Sequence, residues 1–322
     1  MRRLAVLNDH ERQSHLLADW SQVAAQCAID VFDRPLEVPN EAASALQPYE
    51  IVCLVRERMA MPHTLLARLP KLRFIAATGP FNRTIDFEAI QRKGIVVSHT
   101  IPRDTAILAT AELAWALILA VARHVATSDQ ALHEGLWPSR LGHGLHGQCL
   151  GLLGLGRIGQ RMAELGQAFG MEVIAWSENL ATGTAATAGV RRVTRDELFR
   201  LSDVLSVHLV LSSRTHGLVG ARELGLMKPS AILVNTARGP VVDEDALVDA
   251  LARGTIAGAG LDVFAQEPLP PGHALAQLSN VVLTPHLGFS TVEIFRSYFT
   301  DTVENVLAYL AGKPIRRLTG LP

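Results

Sequence analysis

The chain has 322 residues, 48% of them hydrophobic and 19% charged, with a formal net charge of −1. That length exceeds what one core usually serves and predicts two domains, while the near-zero charge gives no reason to expect a nucleic-acid or membrane-surface partner. Cys27, Cys53 and Cys149 are odd in number, far apart and set in apolar surroundings, which predicts buried thiols in a reducing compartment rather than a disulfide framework.

The apolar core of the first ten residues is too short for a secretory signal, so a cytoplasmic protein is expected. From there to about residue 100, strand and helix signals alternate. Leu4–Leu7, Ile29–Phe32, Ile51–Val55, Leu72–Ala77 and Ile95–Val97 read as strands, with helices starting at Pro62 and at Asp86 as N-cap. This is the pattern of a small α/β domain with a parallel sheet. Arg56 stands just after the third strand, where an open sheet presents residues to ligands.

Asp104 to Glu134 reads as one long helix, apolar on nearly every face between Ala106 and Val125. Glu112 interrupts its apolar run, which suits a buried helix better than a membrane span. Burial between domains or in a subunit interface is expected. Gly135, Pro138, Gly142, Gly144 and Gly147 follow in a breaker-rich loop. Its His143 and His146 have no Cys or carboxylate partners at ligand spacing, so no metal site is expected.

The most informative stretch runs from Cys149 to Glu178. Leu150–Leu153 is a buried strand, Gly154, Gly156 and Gly159 form G-x-G-x-x-G, Ile158–Phe169 has helical spacing stopped by Gly170, and Val173–Trp176 is a second strand. In this strand–turn–helix–strand setting the fingerprint predicts a dinucleotide site, with the pyrophosphate at the helix N-terminus. Thr194 with Glu197 forms a capping box. Strands follow at Val204–Leu209, Ile232–Asn235, Gly260–Val263 and Val281–Thr284, and Asp243 caps a helix running to Arg253. Ser290 with Glu293 forms a second capping box that opens a helix to about Leu310. That last helix is expected to return to the first domain.

Three of these strands end in ionisable residues: Arg238 after Asn235-Thr236-Ala237, Asp262 and Glu267 after the next, and His286 after Thr284-Pro285. Each has an ordinary reading as a surface arginine, a loop glutamate or a turn histidine. Their positions at successive strand ends beside a dinucleotide site favour a shared catalytic role.

These residues carry a resemblance. The segments G-L-L-G-L-G-R-I-G-Q (151–160), L-M-K-P-S-A-I-L-V-N-T-A-R-G-P-V-V-D-E-D-A-L (226–247), G-L-D-V-F-A-Q-E-P-L (260–269) and T-P-H-L-G (284–288) resemble, in order and spacing, those of the D-isomer-specific 2-hydroxyacid dehydrogenases. The likeness extends over nearly the whole chain. It implies an α/β fold in which a Rossmann-type doubly wound cofactor domain (101–289) is inserted into a smaller flavodoxin-like substrate domain (1–100 plus 290–322). It also implies a homodimer built around the helix near 104–134. The implied reaction moves a hydride between NAD(P) and a small 2-keto or 2-hydroxy acid. His286 would be the general acid/base, Glu267 its orienting partner, and Arg238 the group that polarises the carbonyl and grips the carboxylate. Gly154, Gly156, Arg157, Ile158, Gly159, Ser177, Ala237, Asp262, His286 and Gly288 would contact the cofactor, with Asp262 at the nicotinamide amide or, alternatively, capping a strand end. Arg56, Thr78, Gly79 and Arg238 would contact substrate.

The chain departs from the family in two places. Where NAD-preferring members carry an aspartate, this chain has Ser177, followed by Glu178 with no Arg or Lys within several residues. NAD is expected, with NADP or dual use open. The second departure is T-G-P-F-N-R-T-I-D (78–86), where Pro80 lacks an N–H and Phe81 replaces a glycine in a loop whose amides usually hold the substrate carboxylate. Asn82 or Arg83 is the expected substitute. An alternative reading is a nicotinamide-sensing corepressor of the same fold, against which stands the lack of a motif-bearing tail after Leu318.

Overall fold

The computed structural model describes residues 1–36, 38–137 and 140–320, so Pro138 of the breaker-rich loop lies outside the described residues. The chain divides into two units, Met1–Arg103 with Thr291–Pro322, and Asp104–Ser290.

In the first unit, apolar runs such as Leu4–Leu7 and Ile51–Leu54 are buried at every residue, as strands of a parallel sheet covered on both faces must be. The strands β1 (Arg2–Leu7), β2 (Cys27–Phe32), β3 (Ile51–Leu54), β4 (Phe74–Ala77) and β5 (Val96–His99) pair in parallel in the order β2-β1-β3-β4-β5, the flavodoxin-like order. Asp86 caps its helix by accepting from the Ala89 amide, and Gly94, at φ 64, closes it. The C-terminal helix Val292–Leu310 packs on β4 and β5, where Tyr309 stacks on Phe74 with centroids 4.4 Å apart.

The second unit holds β6 (Cys149–Leu153), β7 (Glu172–Trp176), β8 (Arg191–Arg192), β9 (Val204–Val207), β10 (Ile232–Asn235), β11 (Gly258–Leu261) and β12 (Val281–Leu283). All pair in parallel, in the order β12-β11-β10-β9-β6-β7-β8. The strand order reverses between β6 and β9, which is where a doubly wound sheet opens to ligands. One core includes Phe199, Leu205 and Leu233; a second includes Trp115, Leu152, Met162 and Val234.

Three features differ from expectation. The helix predicted from Asp104 to Glu134 is two helices, Thr105–Ala122 and Val125–His133, separated by His124 in the left-handed region at φ 53. Histidine tolerates that conformation better than β-branched residues do, so the break carries no glycine or proline signal. Thr105–Ala122, long and apolar enough to span a membrane by length and composition, lies with one face on β10, β11 and the helix Arg157–Ala168. Its other face, including Leu108 and Glu112, is exposed in the single chain. The C-terminal helix is capped by Thr291, which accepts from the Ile294 amide, one residue later than expected, and the Ser290 amide closes a turn onto the Leu287 carbonyl. Finally, β8 was not expected: two exposed arginines leave no apolar pattern to read. The three cysteines are buried and unpaired.

Candidate active site

The glycine turn shows a separate duty for each glycine. Gly154 sits at φ 108, and a Cβ there would stand 2.7 Å from the His208 carbonyl oxygen; its amide donates to the carbonyls of Leu152 and Trp176. A Cβ on Gly159 would stand 2.2 Å from the Gly154 carbonyl oxygen, so helix and strand meet without a side chain between them. Gly156 has open space around its Cβ position and is the N-cap of the helix Arg157–Ala168. A turn built this way leaves helix-end amides facing an uncrowded position, which fits a pyrophosphate. The Thr236 hydroxyl, at the end of β10, is buried with no partner among the described residues, as an atom awaiting a ligand would be.

Other residues expected at the cofactor are placed as follows. Ile158 packs into the core, and the Arg157 guanidinium pairs with Asp104. The Ala237 amide donates to Asn235 Oδ1 at 3.0 Å. Ser177 ends β7 half-buried and accepts the Leu180 amide at 3.1 Å, with Glu178 exposed beside it. No basic residue follows Ser177 closely in sequence, yet β8 pairs Arg192 with Ala175, two residues before Ser177, and Arg192 Nη1 reaches Thr182 Oγ1 at 3.4 Å. His208 is also unexpected here. It follows β9, its ring nitrogen Nε2 lies 2.8 Å from Ser206 Oγ, and burial pulls its pKa down to about 4.

The catalytic candidates converge within the second unit. His286 Nδ1 lies 2.6 Å from Glu267 Oε2, and Glu267 Oε1 accepts the Phe264 amide at 3.0 Å. Burial acts to raise the Glu267 carboxyl, but the hydrogen bond and charge of His286, the Phe264 amide and Arg238 together hold it below the usual range. An ionised carboxylate only accepts, so Nδ1 carries the proton between them. Arg238 donates from Nη1 to its neighbour's carbonyl, that of Ala237, at 2.6 Å. Its turn lies directly on the next one: a Cβ on Gly239 would fall 2.0 Å from the Phe264 carbonyl carbon.

His286 has left-handed backbone at φ 55. Asp262, fully buried, holds it there from below: Oδ1 accepts the Thr284 hydroxyl at 2.6 Å and the Leu287 amide at 2.7 Å, and Oδ2 accepts the Gly288 amide at 2.9 Å. Burial nevertheless pushes the Asp262 carboxyl upward. The strand-end cap is therefore present. Gly288 has its carbonyl held by Thr110 Oγ1 at 2.9 Å.

In the first unit, Arg56, Thr78 and Gly79 are brought together, while Asn82 and Arg83 are otherwise engaged. Asn82 is fully buried, with Nδ2 on the Arg56 carbonyl and Oδ1 on Thr84, and the Arg83 guanidinium lies 4.8 Å from the centroid of the Phe81 ring. The Asn82 amide group is taken up by these partners, whereas Arg83 is exposed. Among the described residues no group of three or more His, Cys, Asp or Glu is placed to hold a metal, and the His146 ring lies against Gly170.

A doubly wound sheet that opens at such a turn, with a histidine–carboxylate pair at its strand ends, defines an oxidoreductase that works with a dinucleotide. Residues 115–288 match the family described as D-isomer specific 2-hydroxyacid dehydrogenase, NAD binding domain. A glyoxylate reductase of Aeropyrum pernix is 40% identical over 296 residues, covering 88% of this chain and 87% of that protein. A D-3-phosphoglycerate dehydrogenase of Mycobacterium leprae is 40% identical over 84% of this chain, which spans only 51% of that longer protein. The solved structure of a phosphoglycerate oxidoreductase from Vibrio cholerae superposes with a TM-score of 0.90 at 34% identity, covering 97% of this chain and all of the other. The chain belongs to the D-isomer-specific 2-hydroxyacid dehydrogenases, and its cofactor is NAD(P).

Proposed function

We propose that the protein reduces a small, unphosphorylated 2-keto acid to the D-2-hydroxy acid, with His286 as general acid/base, Glu267 as its orienting partner and Arg238 as the carbonyl-polarising group. The observation that carries this reading is the 2.6 Å contact between His286 Nδ1 and an ionised Glu267. The carboxylate fixes the ring through Nδ1, leaving Nε2 to give the carbonyl oxygen a proton. NAD(P) supplies the hydride from nicotinamide C4 when bound. Arg238, always charged, stabilises negative charge as it develops on the oxygen. The chain's contribution to cofactor binding comes from the glycine turn with Gly154, Gly156, Arg157, Ile158 and Gly159, from Ser177, and from Ala237, Asp262, His286 and Gly288. Arg56, Thr78 and Gly79 serve the substrate.

The preference for an unphosphorylated acid rests on Arg58, two residues after Arg56. Its guanidinium is already neutralised by Glu11 in a forked pair at 2.8 and 2.5 Å. NAD is the proposed cofactor because Glu178 is exposed beside Ser177 and repels a second phosphate; Arg192 on the neighbouring strand is the feature that favours NADP. A homodimer is proposed through the helices near 104–134, where Leu108, Val125, Leu132, Leu136 and Trp137 are exposed. Three unpaired buried thiols support a cytoplasmic location, and no nucleic-acid or membrane partner is proposed.

The test is oxidation of NADH and of NADPH against glyoxylate, hydroxypyruvate, pyruvate, branched and aromatic keto acids, and 3-phosphohydroxypyruvate. Turnover of an unphosphorylated acid is expected. Turnover confined to the phosphorylated one overturns the substrate class, and turnover of none overturns the reading.

A further inference from the structure

The amino ends of the first unit's strands carry a concentration of positive charge that the chain as a whole lacks. Net charge over the full sequence is −1. Yet a cleft of about 360 Å³ beside the starts of β1, β3 and β4 is lined by Arg2, Arg3, Lys71 and Arg73, with Glu50 as the one carboxylate in its lining. Ligands of an open parallel sheet gather beyond the carboxyl ends of its strands. This cleft is at the other end of the same strands, away from Arg56, Thr78 and Gly79. Pro48 and Pro70 form part of its walls, and their locked φ makes those walls stiff.

The four cations are not equivalent. Arg3 is neutralised: Nη2 lies 2.8 Å from Asp30 Oδ2 and also donates to the Tyr49 hydroxyl at 3.2 Å. Arg2 answers Glu50, with Nε 3.4 Å from Oε1, and the Tyr309 hydroxyl donates to the same oxygen at 3.1 Å. Arg73 is held differently. Its Nη1 donates to the carbonyls of Pro70 and Leu72, both at 2.9 Å, so neutral acceptors fix the guanidinium and leave its charge intact. No carboxylate among the described residues pairs with Arg73 or with the exposed Lys71. The charges also converge. Arg2 and Arg73 both act on the Tyr309 hydroxyl, which burial and Glu50 nevertheless push up to about 12. Backbone donors add little, since the Glu50 amide is on the Arg3 carbonyl and the Arg73 and Phe74 amides are on the Glu50 carbonyl.

We propose that this cleft is a phosphate-group site, taking inorganic phosphate or the phosphate end of a small metabolite on Lys71 and Arg73, with Arg2 as a further donor. Two uncompensated charges, Lys71 and Arg73, match a dianion. A carboxylate brings one charge and one planar edge, so it would leave one of the two cations unanswered while Glu50 repelled it. A tetrahedral phosphate accepts from several directions at once, which suits donors arriving from the start of β1 and from the turn before β4. The walls of a cleft concentrate such a field more than a flat surface does. The site belongs to the first unit and the dinucleotide turn to the second, and it does not depend on the keto-acid reading.

The test is calorimetric titration of inorganic phosphate, and separately of glycerol 3-phosphate, into the full chain saturated with NADH, so that the dinucleotide turn is already filled. Binding in the millimolar range or tighter is expected, and the tighter of the two probes tells the free ion from the ester. Lys71→Glu turns a cation of the cleft into a like charge and is expected to weaken both probes by about tenfold or more. Lys71→Arg keeps the charge and should keep the binding. NADH affinity and the melting temperature without phosphate should match wild type in both variants, which separates a lost site from a lost fold. No heat with either probe at about 10 mM, or equal binding by Lys71→Glu and wild type, overturns the site. Heat that survives Lys71→Glu and disappears in Arg157→Ala places the phosphate at the dinucleotide turn and overturns it as well.

Discussion

His286 and Arg56 both stand on left-handed backbone beyond a strand end, and they are held in opposite ways. His286 is gripped by a buried charge: Asp262 accepts from three donors around it, two of them the amides that follow the histidine. Arg56 is gripped by neutral groups, a threonine hydroxyl and a buried asparagine amide, one on each side. For His286 the grip suits the proposed role: a proton-transferring imidazole needs its position fixed to a fraction of an ångström, and a buried carboxylate with several donors makes a stiff anchor.

The comparison can be broken most decisively at His286. His286→Gln should lower turnover by about a hundredfold to ten-thousandfold, while titration of NADH fluorescence shows the cofactor still binding; turnover near wild type removes His286 from the chemistry. Asp262→Asn comes next. Whichever way the amide turns, its NH2 group faces one of three donors, leaving a buried clash worth about 1–3 kcal/mol. The expected result is a lower melting temperature, with kcat falling by about tenfold and KM for the keto acid little changed. An Asp262 variant that changed KM alone would erase the distinction between the two grips.

The smallest effect concerns pH. Glu267 is held below the ordinary glutamate range, so it stays ionised from mildly acidic pH upward. Glu267→Gln removes that charge. The acid limb of the reduction rate profile, where Glu267 takes up its proton, should then flatten, with the plateau rate lower by about tenfold. A profile that stays in place would reduce Glu267 to a spacer. The sign for stability is separate: a lowered carboxyl contributes above its unfolded value, and that contribution fades as pH falls through the folded one.

Much of this was legible in the residues. The glycine spacing, the runs that became β6 and β7, the Thr194–Glu197 capping box and the placement of Arg238, Glu267 and His286 at strand ends all rest on local patterns, which a single stretch of chain carries whole. What escaped reading depends on partners far apart in sequence. Thr78 and Asn82 lie 22 and 26 residues from Arg56, and nothing in T-G-P-F-N says that its polar atoms face inward. The same holds for Thr100 under Gly79, for Arg192 beside β7, and for the orphan hydroxyl of Thr236. The kink at His124 and the shift of the final cap from Ser290 to Thr291 escaped for a local reason: two side-chain types can serve either role.

The contact at Gly239 bears on how this site can vary. The turn after β10 and the turn after β11 meet backbone to backbone, with the Gly239 Cβ position filled by the Phe264 carbonyl. No side chain sits between them to be exchanged for a larger or smaller one. Arg238 and Glu267 therefore keep their spacing through any repacking of the core beneath, and neither can be moved without carrying the other. To selection or to an engineer, they are one heritable part.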